Sequence, residues 1–165
     1  MTWDTNKNHH TMWFVEHPCV CSYEYSSYNV SPRPYFPELK ALALFAENVT
    51  GSKVTNSVNV NYYDNHFSKV GLHSDSEEIF QADKCSSTII SISLGATRNF
   101  VLQAKDGSAE YSVDLKHADV LTMEGFCQKY YWHGLPQAAA PCGPRVNLTF
   151  RQLVKHKQYC PLAKE

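Results

Sequence analysis

Arg145-Val146-Asn147-Leu148-Thr149-Phe150-Arg151 alternates without a break between polar and apolar side chains. Side chains on an extended strand point to opposite faces with period two. Val146, Leu148 and Phe150 therefore share one face, and Arg145, Asn147, Thr149 and Arg151 share the other. If the strand is central in a sheet, its polar face looks into a cavity that holds something anionic. Two guanidinium groups against an apolar core, without a partner, would each cost several kcal/mol. A dicarboxylic acid fits, because guanidinium grips carboxylate through a planar, two-pronged fork.

The chain upstream reads as one helix followed by many strands. Pro37 suits a first helical turn, Leu39, Leu42, Phe45 and Val49 recur at helical spacing, and Gly51 stops the run. Val58, Val60 and Tyr62 then alternate with Asn59, Asn61 and Tyr63. Segments 88–94, 99–103, 111–115, 119–123, 129–133 and 145–153 follow as short strands, with a hairpin turn at Asp106-Gly107. One helix and about eight strands predict a mainly β fold, a barrel or two-sheet jelly roll. Tyr23 to Tyr28 reads as a strand or an aromatic-lined loop. In residues 1–22, Trp3, Trp13 and Phe14 are isolated apolar points, and the segment is expected to be a lid remnant or N-terminal extension of a single domain spanning 1–165.

Composition excludes several classes. At 165 residues the chain can bury a core. A net charge of −1 rules out a polycation that holds nucleic acid by bulk electrostatics. No apolar run is long enough to span a bilayer, and Met1-Thr2-Trp3-Asp4 has no signal-peptide shape, so an intracellular monomer is expected. Six cysteines (Cys19, Cys21, Cys85, Cys127, Cys142 and Cys160) are then expected as free thiols. Cys19-Val20-Cys21 is too tight for the usual zinc knuckle, and no second Cys pair complements it. His9, His10, His17, His66, His117 and His156 read as structural or surface residues, and Lys155-His156-Lys157 as a solvated terminus.

Gly71-Leu72-His73-Ser74-Asp75-Ser76-Glu77 carries a different signal. A His-x-Asp pair puts two metal-capable groups on one face of a strand. A third ligand from a distant strand, with His133 in Tyr131-Trp132-His133-Gly134 as the candidate, completes a two-histidine, one-carboxylate face with open positions opposite, the non-heme Fe(II) pattern. Asn61 and Tyr63 can add neutral hydrogen bonds to the ligand that Arg145 holds.

Together, His73-x-Asp75, His133 and the 145–151 strand resemble the AlkB family of Fe(II)- and 2-oxoglutarate-dependent dioxygenases, which oxidatively demethylate nucleic-acid bases. Asn61-x-Tyr63, Ser93-Leu-Gly-Ala-Thr-Arg-Asn-Phe100, Ser31-Pro-Arg-Pro-Tyr35 and Met123-Glu-Gly125 add to the match. The resemblance covers roughly Tyr23 to Leu153 and is nearest the branch acting on 1-methyladenine and 3-methylcytosine, including eukaryotic repair enzymes and viral AlkB-like domains. It implies a double-stranded β-helix, a cupin-like jelly roll with one or two supporting N-terminal helices. His73, Asp75 and His133 would hold iron. Arg145 would pair with the distal carboxylate of 2-oxoglutarate, helped by Asn61, Tyr63 and Asn147, and Arg151 would steady Asp75 and the iron-side carboxylate. Tyr25 would stack on the flipped base opposite the His73 ring, Tyr23 would line the same pocket, and Glu77 would read the exocyclic amine. Substrates would be alkylated DNA or RNA, single-stranded by preference, with dioxygen as cosubstrate. The family's Pro-Arg and Tyr-Gly-Asp signatures are replaced by Pro18-Cys19-Val20-Cys21. Two other readings stay open on the same scaffold: demethylation of 6-methyladenine in RNA, or hydroxylation of a protein side chain. A third, of another class, is a non-catalytic nucleic-acid-binding module.

Overall fold

A computed structural model describes residues 4–5, 8–25, 28–53 and 56–163. Trp3 and the Ser26-Ser27 step of the tyrosine-rich run lie outside the described residues. The chain opens with β1 (Asp4–Thr5), β2 (His10–Val15), the hairpin strands β3 (Tyr23–Tyr25) and β4 (Tyr28–Val30), and β5 (Pro32–Pro34). Helix α1 (Pro37–Thr50) precedes β6 (Ser57–Tyr63), β7 (Val70–His73), β8 (Ser87–Gly95), β9 (Arg98–Ala104), β10 (Glu110–Leu115) and β11 (Val120–Gly125). A single turn, α2 (Cys127–Tyr130), leads into β12 (Tyr131–Leu135), and β13 (Arg145–Arg151) follows.

The strands form two main sheets. The larger runs β1-β2-β6-β13-β8-β11, with β5 alongside β2; the smaller runs β10-β9-β12-β7. Residues of both sheets line one cavity between them, the jelly-roll arrangement expected. β13 is central, hydrogen-bonded to β6 on one side and β8 on the other, and its alternation sorts as the sequence implies. Leu148 and Phe150 join Met12, Phe14, Val58, Ile90 and Ile92 in a core beneath α1. Arg145, Asn147, Thr149 and Arg151 face the cavity.

Two expectations are corrected. Residues 10–15 form an integral strand rather than part of a lid or extension: β2 pairs with β6 along its length, and Met12, Trp13, Phe14 and Val15 are all buried. This strand is hydrophobic on both faces because one packs under α1 and the other fills the barrel, so period-two reading finds no alternation in it. The helix is where the sequence places it, started by Pro37 and ended by Gly51 at φ 70°, whose N–H donates to Glu47 O at 2.8 Å. Its buried face is Leu39, Ala43 and Ala46, however, while Phe45 and Val49 are exposed. Small alanines let the helix approach the sheet closely; the larger apolar side chains do not mark that face. Of the one or two helices expected before the barrel, only α1 lies there among the described residues.

Candidate active site

β7 and β12 bring the two histidines together. His73 and His133 are direct partners across this antiparallel pair, and their ring centroids lie 4.3 Å apart. Asp75 follows β7 and is fully buried, with Oδ1 3.6 Å from His73 Nε2 and 3.9 Å from His133 Nε2. The three ligand atoms all lie within 4.8 Å of one another. His73 Nδ1 is 2.8 Å from the Gly71 carbonyl, so it carries the proton and donates, leaving the Nε2 lone pair free. The His133 imidazole is held by packing, with Phe100 stacked on it at 5.8 Å. Burial lowers its pKa to about 3, so it stays a neutral potential ligand.

Burial alone would raise the pKa of Asp75, but the Arg151 guanidinium and the two imidazoles outweigh it and hold the carboxyl below its usual range. Arg151 Nε lies 2.9 Å from Asp75 Oδ2. Asp75 Oδ1 is also buried, has no hydrogen bond and faces two imidazole nitrogens. An acceptor-only oxygen in that position fits a cation. The donor set, two imidazoles and one carboxylate, fits ferrous iron with open positions left over.

Beside the triad, β13 lays out an anion seat. Arg145 is buried, with no acidic partner among the described residues. It donates to Ser93 Oγ at 2.8 Å and Asn147 Oδ1 at 2.7 Å, while its Nε has no partner. Tyr63, its cross-strand neighbour on β6, lies under the guanidinium at 5.3 Å. The next row pairs Asn61 with Asn147, and Asn147 Nδ2 donates to Thr149 Oγ1 at 2.7 Å. A buried cation with unused donor capacity, set among neutral polar groups, is a receptor for a carboxylate.

A model of the 2OG-Fe(II) oxygenase superfamily matches residues 3–151. The chain belongs to that superfamily. Human "DNA oxidative demethylase ALKBH2" is 32% identical over 145 residues, covering 83% of this chain and 54% of that protein. Human "Alpha-ketoglutarate-dependent dioxygenase alkB homolog 3" is 34% identical over 161 residues, covering 92% of this chain and 54% of the relative. The AlkB resemblance is thus borne out, although the chain spans about half the length of these relatives. The solved structure of OsALKBH1 shares the fold, with a TM-score of 0.58 at 22% identity, covering 92% of this chain and 84% of that one. Among the described residues, no helix is long and apolar enough to cross a membrane.

The cavity, about 180 Å³, continues past the triad to an aromatic wall. Tyr23 and Tyr25 on β3 line it, 6.4 Å apart and nearly parallel. Tyr25 meets the His73 ring edge-on at 5.6 Å. Glu77 does not line the cavity; it stands behind Tyr23, whose hydroxyl donates to Glu77 Oε1 at 2.7 Å. Burial and the Asp75 charge raise the Glu77 pKa.

Three contributors escaped sequence reading. Gln128 on α2 is buried and accepts the Asp75 N–H at 2.9 Å, fixing the backbone of that carboxylate. His9 lines the cavity, stacked on Tyr63 at 5.5 Å. Arg98 is buried and donates to the Ser68 and Pro136 carbonyls, tying together the loops that follow β6 and β12. Gln128 and His9 sit in no pattern that marks them, since a lone Gln after a glycine turn and an adjacent His pair are ordinary surface features in a sequence; Arg98 lies inside the Ser93–Phe100 block of the family match, which gives it no role of its own.

Proposed function

We propose that this oxygenase oxidatively demethylates N-alkylated bases, 1-methyladenine and 3-methylcytosine, in single-stranded DNA or RNA, and works as a monomer inside the cell. The observation that carries the reading is the buried Asp75 Oδ1, converging with two imidazole nitrogens beside an Arg145 that lacks an acid. The relatives named DNA oxidative demethylase ALKBH2 support the substrate class.

Iron, when bound with 2-oxoglutarate and dioxygen, supplies oxidation of the N-methyl group, the cosubstrate leaving as succinate and carbon dioxide and the hydroxylated methyl as formaldehyde. His73, Asp75 and His133 hold the metal. Arg151 neutralises Asp75 and fixes its orientation. Arg145 would take the far carboxylate of 2-oxoglutarate, with Asn61, Tyr63 and Asn147 completing the polar seat. These are positioning and charge effects.

The methylated lesion is cationic, so the electron-rich faces of Tyr23 and Tyr25 attract it. Glu77 adds its influence through Tyr23. A base held between two rings needs about 7 Å at van der Waals contact, and the Tyr25–His73 gap is narrower. Tyr25 therefore swings aside as the base enters. A methylated Watson–Crick edge pairs poorly, so extruding that base costs less than extruding a normal one. Selectivity then needs no sequence readout.

The test is product analysis with Fe(II), ascorbate, 2-oxoglutarate and a panel of oligonucleotides. Formaldehyde should match succinate one for one on 1-methyladenine and 3-methylcytosine, and be absent with unmodified strands. Turnover on 6-methyladenine or a peptide alone would move the reading to those substrates; binding without succinate would make the chain a non-catalytic module.

A further inference from the structure

Far from the triad in sequence, four side chains gather at the base of the β3–β4 hairpin: Cys19, Cys21, His156 and Cys160. Their ligand atoms all lie within 4.8 Å of one another. His156 Nδ1 is 3.6 Å from Cys19 Sγ, 3.7 Å from Cys21 Sγ and 3.4 Å from Cys160 Sγ, and Cys160 Sγ is 3.9 Å from Cys19 Sγ. A tetrahedral zinc ion with Zn–S of about 2.3 Å and Zn–N of about 2.0 Å sets its ligands about 3.8 Å apart for S···S and about 3.5 Å for S···N. The observed spacings match those edges, and all three cysteines are free thiols.

Backbone N–H groups point at the sulfurs, while burial by itself raises the Cys19 and Cys21 thiols. The Cys21 N–H points at Cys19 Sγ at 3.5 Å, and the Lys157 N–H at Cys21 Sγ at 3.3 Å. Backbone N–H groups of Val20 and Leu162 serve Cys160. Neutral thiols are weak acceptors, and donors aimed at all three sulfurs are what metal-bound thiolates require.

We propose that Cys19, Cys21, His156 and Cys160 form a structural zinc site, separate from the iron triad. The complement to Cys-x-Cys is a His-x₃-Cys in a tail that packs against the hairpin rather than standing in solvent as expected. Cys21 and Cys160 are buried, and the tail is laced to the hairpin: Tyr159 hydroxyl lies 3.0 Å from Ser22 Oγ, and Lys157 Nζ donates to Ser22 and Glu24. Cys21 is two residues before Tyr23. The ion would thus brace the aromatic wall, a consequence that rests on the function proposed above, whereas the site itself does not.

The test is metal analysis of the full chain purified without added metal or chelator. Wild type and His73→Ala/His133→Ala should each hold about one zinc per chain, and Cys21→Ser/Cys160→Ser almost none. His156→Cys should keep zinc. Cobalt exchanged into wild type should give the sulfur charge-transfer and intense d–d absorption of a tetrahedral thiolate site, and His156→Cys should shift those bands. A wild type without zinc overturns the proposal, as does zinc that leaves with the triad histidines but survives loss of the cysteines. If the double serine variant does not fold, wild-type zinc content and the cobalt spectrum decide. Failure of the demethylation assay with zinc still bound would sink the substrate reading alone.

Discussion

At the scale of single residues, the centre is one carboxylate shared between a guanidinium and two imidazoles. Asp75→Asn keeps the shape but leaves Arg151 buried and uncompensated. Breaking such a pair costs about 3–5 kcal/mol, so urea melts in EDTA should show a loss of that order, together with loss of ferrous binding. Arg145→Ala should weaken 2-oxoglutarate by at least ~30-fold, about 2 kcal/mol, measured by calorimetry with a redox-inert divalent ion, while the fold survives. His9 and His133 give the metal-free protein a pH signature. Burial lowers their pKa values to about 4 and about 3 respectively, whereas in the unfolded chain both protonate near pH 6.5. Between those limits the unfolded state binds more protons, so stability falls as pH drops from about 6.5 towards 4. The melting temperature of apo protein should follow that slope, and His9→Gln should flatten it.

At the scale of elements, β13 was legible because it is greasy on one face only, and its partners β6 and β8 repeat the pattern with Asn59, Asn61, Ser91 and Ser93 turned inward. β2 was not, because it is buried on both faces, and the helix face was misjudged because alanines rather than large side chains make the contact. His73-x-Asp75 and His133 were legible as a set. Glu77 lies off the cavity lining and accepts from the Tyr23 hydroxyl, a contact that residue spacing alone cannot reveal. Gly95 ends β8 at φ +96°, and a Cβ there would meet Pro144 O at 2.4 Å. Gly95→Ala should therefore destabilise by more than about 1 kcal/mol, readable as a lowered urea midpoint with an unchanged slope. On the hairpin, Tyr25→Ala should abolish base turnover while uncoupled consumption of 2-oxoglutarate persists. Equal loss of both would make Tyr25 a packing residue.

At the scale of the whole molecule, two sheets close around a cavity whose floor is β13 and whose candidate metal corner is the β7–β12 pair, with a tail pinned against the β3–β4 hairpin. The long-range geometry, His156 and Cys160 against Cys19 and Cys21, is where sequence reading ran out, because ligands 135 or more positions apart carry no local period. The central claim is that His73, Asp75 and His133 share one ferrous ion beside a diacid seated on Arg145. Anaerobic titration of the purified protein tests it most directly. Fe(II) and 2-oxoglutarate together should produce the visible charge-transfer band of an iron–2-oxoglutarate chelate at one equivalent, absent in Asp75→Ala and displaced to higher 2-oxoglutarate in Arg145→Ala. No band in the wild type, or an undiminished band in Asp75→Ala, would contradict the account.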